Sequence, residues 1–216
     1  SDYSAKTDDH NLSFLILTQM GARFAYQGLT HEAERAYRKA LEIATQANDS
    51  VNMAYGAAYL ARVSGLRKDW AQAENYYLES IAIAEKIGHS DVLELGTQEL
   101  ASVYKRQNRL DKALALAKRL PEYRWEAPAR SNRSGYLVIG DIYRKMGQVD
   151  SAYLYISYAI GSDNIYTRSS SYQALYFMYR NMGRHEEATK YNDLYQSCRD
   201  SIKKMGSASD LYQVKE

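Results

Sequence analysis

The stretch MGARFAYQGLTHEAERAYRKAL, residues 20–41, decides the fold, because a second stretch, IGDIYRKMGQVDSAYLYISYAI at residues 139–160, matches it position by position. Superposed, Gly21 falls on Gly140, Phe24 on Tyr143, Gly28 on Gly147, Ala33 on Ala152 and Ala40 on Ala159. Self-similarity at a fixed spacing is the signature of a repeat architecture, in which each unit buries its apolar face only by stacking on its neighbours. The same frame recurs three more times. An alanine marks it at Ala33, Ala73, Ala113, Ala152 and Ala188, with successive spacings of 40, 40, 39 and 36 residues.

Each frame reads as two helices joined by a turn. A large apolar residue stands in every first helix (Met20, Leu60, Leu100, Ile139, Leu175), and an aromatic follows four residues later in four of the five (Phe24, Tyr104, Tyr143, Tyr179), with Ser64 the exception. Residues four apart share a helix face, so these positions form a core stripe. Gly28, Gly147 and Gly183 stand where the first helix must end, and glycine takes positive φ without steric cost. Thr30 and Asp69 are the expected caps of the following helices. With two prolines, Pro121 and Pro128, in 216 residues, little interrupts the backbone ladder.

The pattern of leucine, small residue, tyrosine three further on, turn glycine, then alanine with an aromatic four later resembles the tetratricopeptide repeat. The likeness spans about Leu12 to Lys204. It implies an all-α fold, a right-handed superhelical solenoid of antiparallel helix hairpins with about five repeats. The usual period is ~34 residues; the longer spacing here resembles the extended variety found in kinesin light chains. The proline that often closes a repeat is absent, and Pro121 stops the second helix of repeat three early. The implied organisation is an N-terminal extension over 1–11, an array over 12–204 and a C-terminal segment over 205–216. Within the array the repeats fall near 14–47, 54–88, 94–120, 133–163 and 169–204. The irregular stretch LPEYRWEAPAR, residues 120–130, reads as an inter-repeat loop, or as a hinge presenting Trp125.

Chemistry is not signalled. The four histidines, His10, His31, His89 and His185, form no pair with zinc-ligand spacing, and the single cysteine, Cys198, has no partner for a disulfide. There is no phosphate-cradling glycine loop and no nucleophile elbow. We therefore expect no catalytic, metal or cofactor site and no enzyme. Lys and Arg total 28 against 26 Asp and Glu, with the signs interspersed, so no basic block points to nucleic acid. No apolar run approaches a membrane span.

In the tetratricopeptide family the first helices line a concave groove. The resemblance carries that role to Thr18, Ala22 and Ala25 in repeat one, Tyr55, Ala58 and Arg62 in repeat two, and Gln98, Ser102 and Lys105 in repeat three. Repeats four and five contribute Leu137, Asp141 and Arg144, then Gln173, Phe177 and Arg180. Of these, Tyr55, Arg62, Gln98, Lys105, Asp141, Arg144, Gln173, Phe177 and Arg180 are the expected partner-binding set. Lys105, Arg144 and Arg180 share one position, which reads either as a basic ladder suited to an acidic polypeptide segment or as late-helix cations that complement the helix dipole without binding anything. The implied function is a protein-interaction or sensory scaffold. The alternatives are a peptide-binding regulatory receptor, which usually relies on first-helix asparagines where this groove offers Asn181, and a scaffold that self-associates through its tyrosine-rich half. Twenty-one tyrosines occur, eleven of them between Tyr136 and Tyr195. Tyr153, Tyr155 and Tyr158 fall on one helix at spacings that cannot all face inward. The closing segment YNDLYQSCRDSIKK, through Tyr195, Asp200, Ser201 and Ile202, resembles arrays that precede a membrane anchor in some bacterial regulators, which implies a bacterial extracytoplasmic (periplasmic) setting as part of a longer anchored protein, the alternative being the cytoplasm.

Overall fold

A computed structural model describes residues 2–120 and 133–213, with side chains for residues 10–120 and 133–205. The expected Trp125 loop, with Pro121 and Pro128, lies outside the described residues, as does Val214. The described residues form ten helices and no strand: α1 (Asp2–Tyr26), α2 (Thr30–Gln46), α3 (Ser50–Leu66), α4 (Trp70–Ile87), α5 (Ser90–Arg106), α6 (Leu110–Ala117), α7 (Arg133–Lys145), α8 (Val149–Ile160), α9 (Ile165–Asn181) and α10 (His185–Gln213). The chain divides into two compact units, Ser1–Leu116 and Ala117–Glu216.

Within the first unit, successive helices from α1 to α5 pack in chain order; within the second, α7 packs on α8, α8 on α9 and α9 on α10. First helices also touch one another, α1 with α3, α3 with α5 and α7 with α9, whereas α2 with α4 and α8 with α10 make no comparable contact among the described residues. Inside each unit the first helices thus form the crowded inner side and the second helices splay outward.

Small residues make this stacking close. Ala33, Ala40 and Ala44 on α2 and Ala73 and Ala84 on α4 are essentially inaccessible. Tyr37 fills the space between hairpins, fully buried against Ala33, Leu60 and Val63. A Cβ on Gly21 would stand 2.6 Å from its ring, so only glycine admits that approach. Four of the five large apolar positions are core, with Leu60, Leu100, Ile139 and Leu175 no more than 1% exposed. Met20, expected to join them, is 45% exposed. Leu60 is covered by α2, the second helix of the preceding hairpin; α1 is flanked by α2 and α3 only among the described helices, so the equivalent face, with Leu12, Leu15 and Ile16, stays open. Ser64, where the ring is missing, is buried and donates to either the Leu60 carbonyl at 3.0 Å or Gln72 Oε1 at 2.9 Å.

The turns carry a regularity finer than the repeat. Residues with positive φ stand at Gly28, Asn48, Lys68, Gly88 and Asn108, one every twenty residues, and again at Gly147 and Gly183. At each, two N–H groups reach back to the helix just ended: Gly28 to the Ala25 carbonyl at 3.1 Å and Leu29 to that of Phe24 at 2.9 Å, with the same pair at Lys68 and Asp69. This is the Schellman closure, which satisfies carbonyls that the helix end would leave unpaired. Asp69 caps α4 through the Gln72 N–H at 3.1 Å, as expected. Thr30 does not cap α2. Leu29 occupies that position without a side-chain bond, because the forty-residue spacing places Leu29, not Thr30, on Asp69. Lys68 has a Cβ held at φ 63°, a conformation that costs an L-residue roughly 1–2 kcal/mol. Lys68→Gly is therefore expected to raise stability by about 1 kcal/mol, read as a higher urea midpoint, with Asn48→Gly gaining less.

Candidate polypeptide-binding surface

In the first unit, α3 projects Tyr55 and Arg62 from its inner side. Tyr55 is half-buried and stacks on Tyr59 at 6.2 Å between ring centres, Tyr59 stacks in turn on Tyr37 at 5.2 Å, and the far side of Tyr55 meets the His89 ring edge-on. Burial raises the phenol pKa of both Tyr55 and Tyr59 above the ordinary tyrosine value. Arg62 is exposed; its Nη2 donates to the Tyr37 hydroxyl at 3.0 Å, and its guanidinium lies over the Tyr59 ring at 5.4 Å. The result is a rigid row of rings ending in a cation, and Tyr59, its central member, was not among the expected groove residues. Its signal was present: Tyr55 and Tyr59 are one helical turn apart. Gln98 and Lys105 on α5 are half-buried, and Lys105 is engaged by neighbouring groups. Thr18 is buried, its hydroxyl donating to the Leu15 carbonyl at 2.9 Å, which withdraws it from any ligand.

In the second unit, Asp141 and Arg144 pair with each other along α7, with Arg144 Nε 3.0 Å from Asp141 Oδ1. An ion pair three residues apart on an exposed face contributes only tenths of a kcal/mol, but it neutralises the rung of the basic ladder that Arg144 was to supply. On α9, Gln173 donates to the Tyr195 hydroxyl of α10 at 3.0 Å. Phe177 is 43% exposed and leans on Tyr176, with ring centres 4.9 Å apart. Arg180 is exposed and has no ion-pair partner among the described residues. Gln173, Phe177 and Arg180, spaced four and three apart, share one helix face.

A different element recurs at the ends of the first helices. The Arg109 guanidinium lies over the Tyr104 ring at 4.4 Å and Arg184 over Tyr179 at 4.8 Å, the arginine in each case five residues on and bonded by its N–H to the carbonyl of that tyrosine. In the first instance Glu74 of α4 accepts from Arg109 at 2.6 Å and from the Tyr104 hydroxyl at 2.8 Å. The Arg109 hydrogen bond, aided by that of Tyr104, holds the Glu74 carboxyl below its ordinary 4.5. Burial, then the bond to Glu74, pushes Tyr104 up to about 12. The signs differ. Glu74 contributes stability that is present above pH 4.5 and lost as pH falls through its depressed value. Tyr104 contributes stability that is present below pH 10 and lost as pH rises through about 12. Unfolding midpoints measured across pH should fall at both ends, and Glu74→Gln should weaken the acid limb, where Glu187 is also held below its ordinary value, and let Tyr104 ionise closer to pH 10.

His31 and His185 sit exposed in the first turns of α2 and α10. Among the described residues no group of His, Cys, Asp and Glu is placed to hold a metal ion, and no helix is long and apolar enough to cross a membrane. Cys198, half-buried on α10, is a free thiol.

This arrangement of hairpins defines a class. No family model matches the chain, and no curated protein matches it. Solved structures do. BtubC (BKLC) from P. vanneervenii superposes with a TM-score of 0.72 at 18% identity, covering 94% of this chain and 90% of that one. A Podosopora anserina protein with nearly identical TPR-like repeats gives 0.62 at 18% identity, over 86% and 94%. A Rap protein complexed with competence and sporulation factor gives 0.71 at 17% identity, over 87% of this chain and 54% of that one. By its fold, the chain is an all-helical tetratricopeptide-type repeat protein.

Proposed function

We propose that the chain is a protein-interaction module that holds a polypeptide segment against the inner face of its first helices, and that it is not an enzyme. The observation that carries this reading is the free face of α9. Phe177 stands 43% exposed between Gln173 and Arg180, which has no ion-pair partner among the described residues. A large exposed ring beside a cation is the composition of an interaction surface rather than of a solvated helix face. The expected partner is an acidic peptide or protein segment, with no part for nucleic acid. The Rap protein, which shares the fold, is solved in complex with competence and sporulation factor, and this supports a polypeptide ligand. The basic ladder is narrowed by the Asp141–Arg144 pair, so recognition in the second unit is assigned chiefly to Phe177 and Arg180.

The test is affinity capture from the source cell's envelope and soluble fractions, comparing the chain with Phe177→Ala, Arg180→Glu after circular dichroism shows equal helicity. A polypeptide retained by the first and lost by the second supports the reading. Equal capture overturns it.

A second reading, self-association through the tyrosine-rich half, is favoured by α8, whose outer face exposes Tyr153, Leu154 and Tyr158 by 41–51%. Sedimentation at rising concentration decides it: a constant monomer mass removes this reading.

A further inference from the structure

Ring packing alone does not call for a hydroxyl, since phenylalanine fills the same space, yet the chain uses tyrosine twenty-one times and phenylalanine three. What a phenol adds to a bare ring is a donor, an acceptor and a group that gives up an electron. The second unit gathers such rings into one continuous row. Tyr172 of α9 stacks on Tyr191 of α10 at 6.4 Å between centres, Tyr191 stacks on Tyr179 of α9 at 5.4 Å, and Tyr179 meets Tyr153 of α8 edge-on at 6.2 Å. The row thus joins three helices.

Its middle pair stands apart from the other stacked tyrosines. The planes of Tyr179 and Tyr191 lie 5° apart, against 23° for Tyr37 and Tyr59 and 22° for Tyr143 and Tyr155. Tyr179 is buried and Tyr191 half-buried, whereas Tyr153, at the end of the row, is 41% exposed. The Tyr153 hydroxyl hydrogen-bonds with those of both rings. Burial, then Tyr153, raises the Tyr179 phenol and pushes Tyr191 up to about 12, so both stay protonated near neutral pH. Arg184 lies over the Tyr179 ring, but Glu187 pairs with it and offsets its charge. Tyr37, by contrast, is fully buried and its hydroxyl accepts from the Arg62 guanidinium, a cationic donor that opposes loss of an electron.

We propose that Tyr179 and Tyr191 form a site of oxidative coupling, at which a one-electron oxidant joins the two rings as dityrosine and ties α9 to α10 across the Gly183 turn. Each phenol gives one electron to the oxidant, a high-valent metal complex or a peroxide-activated haem, and its hydroxyl proton to water. The two phenoxyl radicals then form a carbon–carbon bond between ring positions beside the hydroxyls. The hydrogens on those two carbons shift to oxygen, which restores both phenols with a net loss of two hydrogens. Rings that already touch reach bonding distance by side-chain rotation, and the exposed Tyr153 gives the oxidising equivalent a way in. The proposal is independent of the interaction reading, since the coupling needs no partner.

Cys198, seven residues beyond Tyr191 on the same helix, competes for the oxidant, so the experiment runs Cys198→Ser beside the unaltered chain. Both are exposed to tris(bipyridine)ruthenium(III), generated by light with persulfate, and the monomer is digested with trypsin. The expected product joins residues 169–180 to residues 191–199, two hydrogens lighter than the sum of the two peptides and fluorescent as dityrosine. Tyr179→Phe and Tyr191→Phe keep the rings; each should lower the yield at least tenfold with helicity unchanged by circular dichroism. Tyr26→Phe, at the 95% exposed ring that ends α1, should leave it unchanged. The coupled chain should unfold at a higher urea midpoint than the Tyr191→Phe chain treated in the same way. Coupling chiefly at Tyr37–Tyr59 or Tyr143–Tyr155, cross-links only between chains, or oxidised methionine without dityrosine in Cys198→Ser would each overturn the proposal.

Discussion

Gly140→Val is expected to destabilise the second unit by about 3 kcal/mol or more, the upper end of the cost of forcing bulk into a packed core. Gly140 lies on α7 where it crosses α8, and even a bare Cβ there would stand 2.6 Å from Ile156 Cγ1, 3.0 Å from the Ile156 backbone nitrogen and 3.1 Å from the Ala152 carbonyl oxygen. A side chain can rotate away, but two of these three atoms are backbone. Relief requires the helices to part, which uncovers Ile139 and Ile156, both buried to within 1%. Alanine gives the sharper comparison, since in an open helix it gains about 1 kcal/mol over glycine. Gly140→Ala should nevertheless lose stability. Gly65→Ala in α3, where the nearest atom to the added Cβ is 3.9 Å away, should gain it. Urea midpoints for the three variants test the claim, and a stable Gly140→Val protein would show that α7 and α8 do not meet as described.

The second large effect separates two residues that the repeat makes equivalent. Leu60→Ala should cost about 2–5 kcal/mol, through lost burial and the cavity left among Ala33, Tyr37 and Val63. Met20→Ala, at the same position of the first hairpin, should cost less than about 0.5 kcal/mol, because that side chain is 45% exposed. Equal losses in chemical denaturation would mean that the face of α1 is covered in solution.

Met20 also shows what sequence reading could and could not reach. The hairpins, their core stripe and the turn glycines at 28, 147 and 183 were legible because helix geometry demands particular residue types at those positions, and repetition multiplies the signal. Whether a core-type residue is buried depends on a neighbour, and a repeat pattern is silent on where neighbours stop. The twenty-residue spacing of the turns was also missed, since Asn48, Lys68 and Asn108 hold positive φ without the glycine that would announce it. The surface was less legible. Arg144 looked available by register, but its charge is matched by Asp141 one turn before it, and Thr18 turns its hydroxyl onto its own helix.

The even spacing of the turns in the first unit, at residues 28, 48, 68, 88 and 108, bears on how the chain yields under load. Helices of seventeen or eighteen residues from α2 to α5, closed by the same backbone lock, are near-identical mechanical elements. Pulled from its ends, such an array should give way in steps of one forty-residue hairpin, each releasing about 130–140 Å of contour at the reach of an extended chain. A ligand clasped by α3 and α5 together would join two of those steps into one, so the force–extension trace itself would report occupancy.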